Sequence, residues 1–262
     1  MRRHNPMFAA LLLAIVAAPC VAGSCKVESG AHVLPLVELY TAEGCNECPP
    51  ADRWFSEMSR TTPPTQAAWL AFHVDYWDEA GWPDRFADHA HSQRQDLRIT
   101  LAKKKVTYTP QVMIGEDVMV KWKDASRLQS MLERTRARTA SVDLSLDVST
   151  LDGGLRVGVD ASRRAEDGAA PILVWLALYQ DGLGSRIDAG ENKGLVLDHD
   201  RVVRALVGPW RMDDGQVSDE VEIRLPAADA EPTGLVLFAE SGATGEGLQA
   251  LVLPIEACAA PD

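Results

Sequence analysis

Gly44-Cys-Asn-Glu-Cys-Pro-Pro-Ala-Asp52 follows the apolar run Leu34-Pro-Leu-Val-Glu-Leu-Tyr40 and opens a stretch of helical composition, Ala51 to Ser59. A Cys-x-x-Cys between a buried strand and a helix has a specific physical use. The spacing brings both sulfurs within disulfide reach, and the positive end of the helix stabilises a thiolate, the reacting form of cysteine. On this reading Cys45 attacks and Cys48 resolves. The motif alone is also half of a zinc site, but no second pair of cysteines completes one, and His89 and His91, two positions apart, diverge on a helix.

Outward from the dithiol, Thr61-Thr-Pro-Pro64 breaks the helix, and Ala67 to Val74 reads as a second buried strand running into Asp75-Tyr-Trp-Asp78. A long helix, or two short ones, fits Asp84 to Lys104. Val106 to Pro110 then leads into the strand Gln111–Ile114, and Gly115 to Asp117 turns into Val118 to Val120. Asp124 or Ser126 caps a last helix through Arg138. Beyond residue 140 the period changes to two: Val142, Leu144, Leu146 and Val148, then Leu155, Val157 and Val159, later Val221, Ile223 and Leu225. Ile172 to Tyr179, Leu235 to Ala239 and Leu248 to Ile255 add continuous apolar runs. The expectation is an α/β domain over residues 33–139 followed by an all-β, sandwich-like domain over residues 141–258.

The first residues read as an export signal, residues 1–23, with Arg2 and Arg3 before the apolar run Phe8 to Ala18 and small residues Ala22 and Gly23 at the cleavage position. The run is about half the roughly 20 residues that span a bilayer, so no transmembrane segment is expected. Lipidation is disfavoured at Cys20 by Pro19, while Gly23-Ser24 before Cys25 tolerates it. Without Arg2 and Arg3 the chain carries 24 basic and 38 acidic side chains, and 24 minus 38 gives a formal charge of −14, a poor surface for nucleic acid. The expected location is periplasmic or secreted. Four cysteines remain, an even number in an oxidising compartment. Cys45 and Cys48 can pair, which leaves Cys25 for Cys258 as a structural bridge; the alternative is a lipidated Cys25 and a free Cys258.

Gly44 to Asp52, Phe72-His-Val-Asp-Tyr-Trp-Asp78, Arg94-Gln95 and Tyr108-Thr-Pro-Gln111 resemble the motifs of an uncharacterised family of secreted bacterial thioredoxin-like proteins, and Gly190-Glu-Asn-Lys-Gly194 with Asp198-His-Asp-Arg-Val-Val203 resembles its C-terminal motif. The resemblance implies a thioredoxin-like fold for residues 33–139 and no assigned reaction. The wider likeness to thioredoxins implies a cis Thr109–Pro110 beside the dithiol, leaving backbone free for an extended peptide. It also implies a buried acid, here Glu38, that accepts a proton from Cys48; a salt-bridged Glu38 is the alternative. Asp75, Trp77 and Asp78 fall at the rim where ligands bind in open α/β sheets. With Tyr108 and Gln111 beside Thr109 and Pro110, they form the substrate-contacting set.

Two features depart from ordinary thioredoxins. Pro49 and Pro50 push the helix start to one of the prolines, which places Cys48 nearer the helix dipole than Cys45. Glu38, Glu43, Glu47, Asp52 and Glu57 crowd the dithiol against Arg53 alone, which disfavours a thiolate and sets the expected potential on the reducing or moderate side. The function expected is cofactor-free thiol–disulfide exchange with a thiol- or disulfide-bearing protein or small molecule. The alternatives are copper binding or delivery, with Cys45, Cys48 and His73 as ligands, and a non-catalytic binding module.

Overall fold

The runs around Val37 and Leu70 are buried on both faces, the pattern of strands covered above and below rather than on one side. The computed structural model of the chain describes residues 24–164, 170–224 and 232–258. In chain order the elements are β1 (Ser24–Glu28), β2 (Leu36–Thr41), α1 (Pro49–Thr61), β3 (Ala68–His73), α2 (His89–Leu101), β4 (Gln111–Ile114), β5 (Asp117–Val118), α3 (Ala125–Arg136), β6 (Val142–Leu151) and β7 (Gly154–Arg163). There follow β8 (Ile172–Gln180), β9 (Leu183–Arg186), β10 (Val196–His199), β11 (Val202–Met212), β12 (Gln216–Arg224), β13 (Pro232–Ser241) and β14 (Gly247–Pro254). The export-type segment 1–23 and Leu225 lie outside the described residues. No helix among the described residues is long and apolar enough to cross a membrane.

The strands form an eight-stranded sheet in the order β14-β13-β8-β11-β3-β2-β4-β5, a four-stranded sheet β1-β6-β7-β12 and a ribbon β10-β9. This corrects the expected architecture. The described residues are 44% strand and 21% helix, and β2 to β5 do not make a thioredoxin-like α/β sheet followed by a separate all-β fold. They continue a wider sheet that also holds β8, β11, β13 and β14. The join is a parallel pairing of β11 with β3, with Val202 opposite Ala71 and the Ala71 amide donating to the Arg201 carbonyl at 2.8 Å. The physical reason lies in the strands themselves. β3 and β8 are buried at every position, so a free edge on either would strand apolar surface and unpaired peptide groups in solvent.

Each face of the large sheet has its own core. Ala51 and Phe55 of α1 and Leu128, Met131 and Leu132 of α3 pack on Val37, Leu39, Trp69, Ala71 and Val112. Tyr40, Leu70, Phe72 and Met113 point to the other face and join Ile99 of α2, Trp175, Tyr179 and Phe238. Farther along, Leu144, Leu146, Val157 and Val159 of the four-stranded sheet meet Val174, Leu176, Leu235 and Leu237, so alternation in β6 and β7 sends the apolar positions inward.

The helix boundaries follow from caps. α1 begins at Pro49, with prolines in the first turn and Cys48 as N-cap. α3 is capped by Asp124, whose carboxylate accepts from the Arg127 amide at 3.0 Å. The helix expected from Asp84 starts later, at His89. Asp88 caps it, and Asp84 stays in the preceding loop because its carboxylate accepts from the amides of Glu43 and Phe86.

Candidate functional site

The loop between β2 and α1 carries the dithiol, and Cys45 and Cys48 form a disulfide. The Cys48 amide donates to the Cys45 carbonyl at 3.2 Å, and the Cys48 carbonyl accepts from Ala51 and Asp52, the first bonds of α1. Asn46 and Glu47 are exposed, whereas Cys45 is 1% exposed and Cys48 0%. Gly44 lets the next segment close over the loop: a Cβ there would lie 3.2 Å from the Trp77 carbonyl oxygen and 3.3 Å from Trp77 Cβ.

The rim is built from the turn Asp75–Ala80 and the segment before β4. Trp77 Nε1 donates to Thr109 Oγ1 at 2.7 Å, Tyr76 Oη to Gln95 Oε1 at 3.2 Å, and Gln95 Nε2 to the Tyr108 carbonyl and to Gln111 Oε1, each at 2.9 Å. Thr109–Pro110 is cis. Trp77, Tyr108, Thr109 and Pro110 therefore share one rim, with Tyr76 and Tyr108 exposed and Gln111 buried. Asp75 turns away toward α2, accepting from the Ser92 hydroxyl and lying 2.8 Å from His89 Nδ1. The Ser92 hydrogen bond, against modest desolvation, keeps its carboxyl below the usual range. Asp78 accepts from the Asp84 amide at 3.0 Å. The expected rim set is thus divided: half-buried Trp77 packs against Gly44 beside the dithiol and Tyr108 is exposed, while Asp75, Asp78 and Gln111 hydrogen-bond within the scaffold.

Glu38 takes its salt-bridged alternative. Its carboxylate lies 2.8 Å from Arg94 Nε and 3.0 Å from Arg98 Nε, accepts from Tyr40 Oη at 3.0 Å, and shares both arginines with Glu240 of β13. Burial opposes ionisation of Glu240, but Arg94 and Arg98 outweigh it and hold its carboxyl below the usual range.

Behind the dithiol lies a second buried polar cluster that sequence reasoning did not assemble. His73 Nδ1 is 2.6 Å from Asp84 Oδ2, the oxygen that also accepts from the Glu43 amide at 2.8 Å. His199 of β10 places Nε2 3.3 Å from Glu43 Oε1 and Nδ1 4.0 Å from Asp52 Oδ2. The His73 and His199 rings meet edge to face at 4.8 Å. Thr41 Oγ1 donates to Asp52 Oδ1 at 2.7 Å and Trp82 Nε1 to Glu43 Oε2 at 2.8 Å. Burial opposes ionisation of Asp84, yet His73 and two amides bring its carboxyl down to about 2. Burial would lower His73, and Asp84 reverses this and raises it. Glu43 is lowered by His199 and its other donors against its burial.

The C-terminal half closes the site. Asn192 Nδ2 donates to the carbonyls of Glu43 at 2.7 Å and Cys45 at 2.9 Å. Its loop approaches Trp82 so closely that a Cβ on Gly190, at φ +72°, would sit 3.2 Å from Trp82 Cβ. The motif segments 190–194 and 198–203 marked Asn192 and His199 as candidates, whereas nothing in the sequence marked Asp84 as a buried partner of His73. Among the described residues no group of three or more His, Cys, Asp and Glu side chains is arranged to hold a metal ion. Far from this site, Cys25 and Cys258 lie at disulfide distance and join β1 to the last turn of the described chain.

Comparison with known proteins adds the fold and the family. Protein AGR_C_4864 from Agrobacterium tumefaciens is similar in structure at 20% identity, over 86% of this chain and 96% of that one, with a TM-score of 0.59. HBP35 of Porphyromonas gingivalis is similar at 12% identity, over 86% of this chain and 76% of that one, with a TM-score of 0.58. At these identities the likeness concerns the fold alone. No curated protein matches the chain. The family model described as "Protein of unknown function (DUF1223)" matches residues 36–240, a span that contains the dithiol, His73, His199 and Asn192, and the chain belongs to that family.

Proposed function

We propose that the chain is a thiol–disulfide oxidoreductase acting outside the cytoplasm, in the periplasm or as a secreted protein, on protein or small-thiol partners. The observation that carries the reading is the placement of the Cys45–Cys48 pair. It sits at the N-cap of α1, where the helix dipole favours a thiolate, with Trp77, hydrogen-bonded to Thr109, packed against Gly44 beside it. Two cysteine pairs at disulfide distance fit an oxidising compartment. In this reading Cys45 is the attacking sulfur and Cys48, at the N-cap of α1, is its resolving partner.

The trapping experiment tests this. Cys48→Ser leaves Cys45 to form a mixed disulfide that cannot be resolved, so partners from the producing cell's envelope should accumulate on it and be released by reductant. Cys45→Ser should trap none. Equal trapping by both variants, or by neither, contradicts the reading.

One observation favours a second reading, a binding module with a locked disulfide: both sulfurs belong to residues of 1% exposure or less, and buried cysteines are commonly inert. Resistance of the native disulfide to dithiothreitol under conditions that reduce an exposed disulfide would establish it.

A further inference from the structure

Cys48 is wholly buried, so a thiolate formed there on cleavage of the disulfide cannot take a proton directly from solvent. An unpaired charge in such a place is costly, and the proton must come from an interior group. Asp52 stands four residues on in the first turn of α1, with its amide bonded to the Cys48 carbonyl at 3.0 Å. Cys48 has helical φ and ψ, so the two side chains rise from the same face of the helix. Asp52 is also buried, and its Oδ2 has no hydrogen-bond partner. Glu43 Oε1, His73 Nε2 and His199 Nε2 in the same cluster likewise have none. Glu43 Oε1 and His199 Nε2 are 3.3 Å apart and His199 Nδ1 is 4.0 Å from Asp52 Oδ2, so a chain of buried titratable groups runs from Asp52 through His199 to Glu43.

We infer that Asp52 is the proton donor to Cys48 and that His199 is the positioning residue through which Asp52 is re-protonated. The inference rests on the thiol–disulfide reading and transfers to Asp52 the role that the sequence had offered to Glu38. Burial pushes the Asp52 carboxyl up, and His199, His73 and the Thr41 hydroxyl only partly offset this. The groups facing it are His199 from β10, His73 from β3, and Glu43 and Asp84 from the loops on either side of the dithiol.

The step balances as follows. A thiolate of a reducing dithiol attacks Cys45 Sγ, a new S–S bond forms, and the Cys45–Cys48 bond breaks with its electron pair on Cys48 Sγ. The Asp52 proton passes to that sulfur and leaves a carboxylate. The second thiol of the reductant, having given its proton to solvent, attacks the mixed disulfide and releases Cys45, which takes up a proton. The reductant ends as a disulfide and the protein as two thiols, and Asp52 regains its proton from solvent through His199.

The test is the rate of reduction of the chain from residue 24 onward by dithiothreitol, expressed per dithiothreitol thiolate, between about pH 5 and about pH 9. In the wild type this rate should fall as pH rises through the Asp52 titration. Asp52→Asn, which keeps the acceptor for Thr41, should slow reduction about 100-fold at low pH and remove the falling limb. Thr41→Val removes the donor that favours the carboxylate and should move the limb to higher pH; this variant carries the test if Asp52→Asn does not fold. His199→Gln should displace the limb as well. Wild-type reduction with the same rate and profile in Asp52→Asn, or an unmoved limb in Thr41→Val, overturns the relay alone. A wild-type disulfide that dithiothreitol does not reduce overturns both the relay and the thiol–disulfide reading.

Discussion

Asn192 and Cys45, 147 residues apart in sequence, are joined by a hydrogen bond of 2.9 Å from the Asn192 side-chain amide to the Cys45 carbonyl. The same amide holds the Glu43 carbonyl, so a loop of the C-terminal half fixes the peptide backbone on which the dithiol sits. Asn192→Ala leaves two buried carbonyls without this donor, at a cost of about 1 to 3 kcal/mol. Urea denaturation should show the loss as a lower midpoint with an unchanged slope. A variant as stable as the wild type would mean that solvent replaces the amide and that the two halves are not coupled here.

The quartet of Glu38, Arg94, Arg98 and Glu240 joins β2, α2 and β13. Glu240 also accepts from Trp175 Nε1 at 2.9 Å. Removing one member of a buried ion-pair cluster leaves an uncompensated charge, so Glu240→Ala should cost about 3 to 5 kcal/mol. Glu38→Ala should be comparably damaging to stability. Calorimetry on both variants checks this, and a loss below about 1 kcal/mol, the range of exposed pairs, would show that the quartet is hydrated.

The His73–Asp84 pair gives stability a pH window. Asp84 titrates at about 2 in the fold against an ordinary 3.8, so its contribution is present above the ordinary value and disappears as pH falls toward 2. His73 titrates above its ordinary 6.5, so its contribution is present below that value and disappears as pH rises through the raised one. The stability difference between wild type and Asp84→Asn should therefore be greatest between 3.8 and 6.5 and shrink on both sides. A difference that is flat with pH would show that the histidine stays neutral throughout.

Cys25 and Cys258 close a loop with a sequence separation of 233 residues. Their replacement by serine should lower stability by about 2 to 4 kcal/mol, mainly by freeing the unfolded chain. Dithiothreitol reduction should be unaffected at the other pair, which alkylation and mass measurement would report separately. Loss of exchange at Cys45 and Cys48 would show that the two disulfides are coupled.

Local features were legible in the sequence because local chemistry sets them. The proline pair fixed the start of α1, Asp124 capped α3, and alternation in Val142 to Val148 placed those residues inward. What could not be read was the partner of a fully apolar strand. Ala68 to His73 and Ile172 to Gln180 are buried at every position, and such runs announce cover on both faces without naming a neighbour. The join of β3 to β11 therefore went unforeseen, and with it the single wide sheet. The same blindness hid the site's second half. His73, Asp84 and His199 are distant in sequence, and no local period relates them. Glu38 was identified as a buried acid, but its arginine partners come from α2 and its companion carboxylate from β13.

Equilibration of the chain from residue 24 onward with glutathione buffers, followed by alkylation and peptide mass analysis, tests the central claim most directly. The account predicts a reversible two-electron transition at Cys45 and Cys48, with a potential at or below about −180 mV, because the acidic side chains Glu43 and Glu47 beside the pair disfavour the thiolate that would make it more oxidising. A pair that never equilibrates, or one that does so near about −120 mV, the range of a strong oxidant, would contradict it.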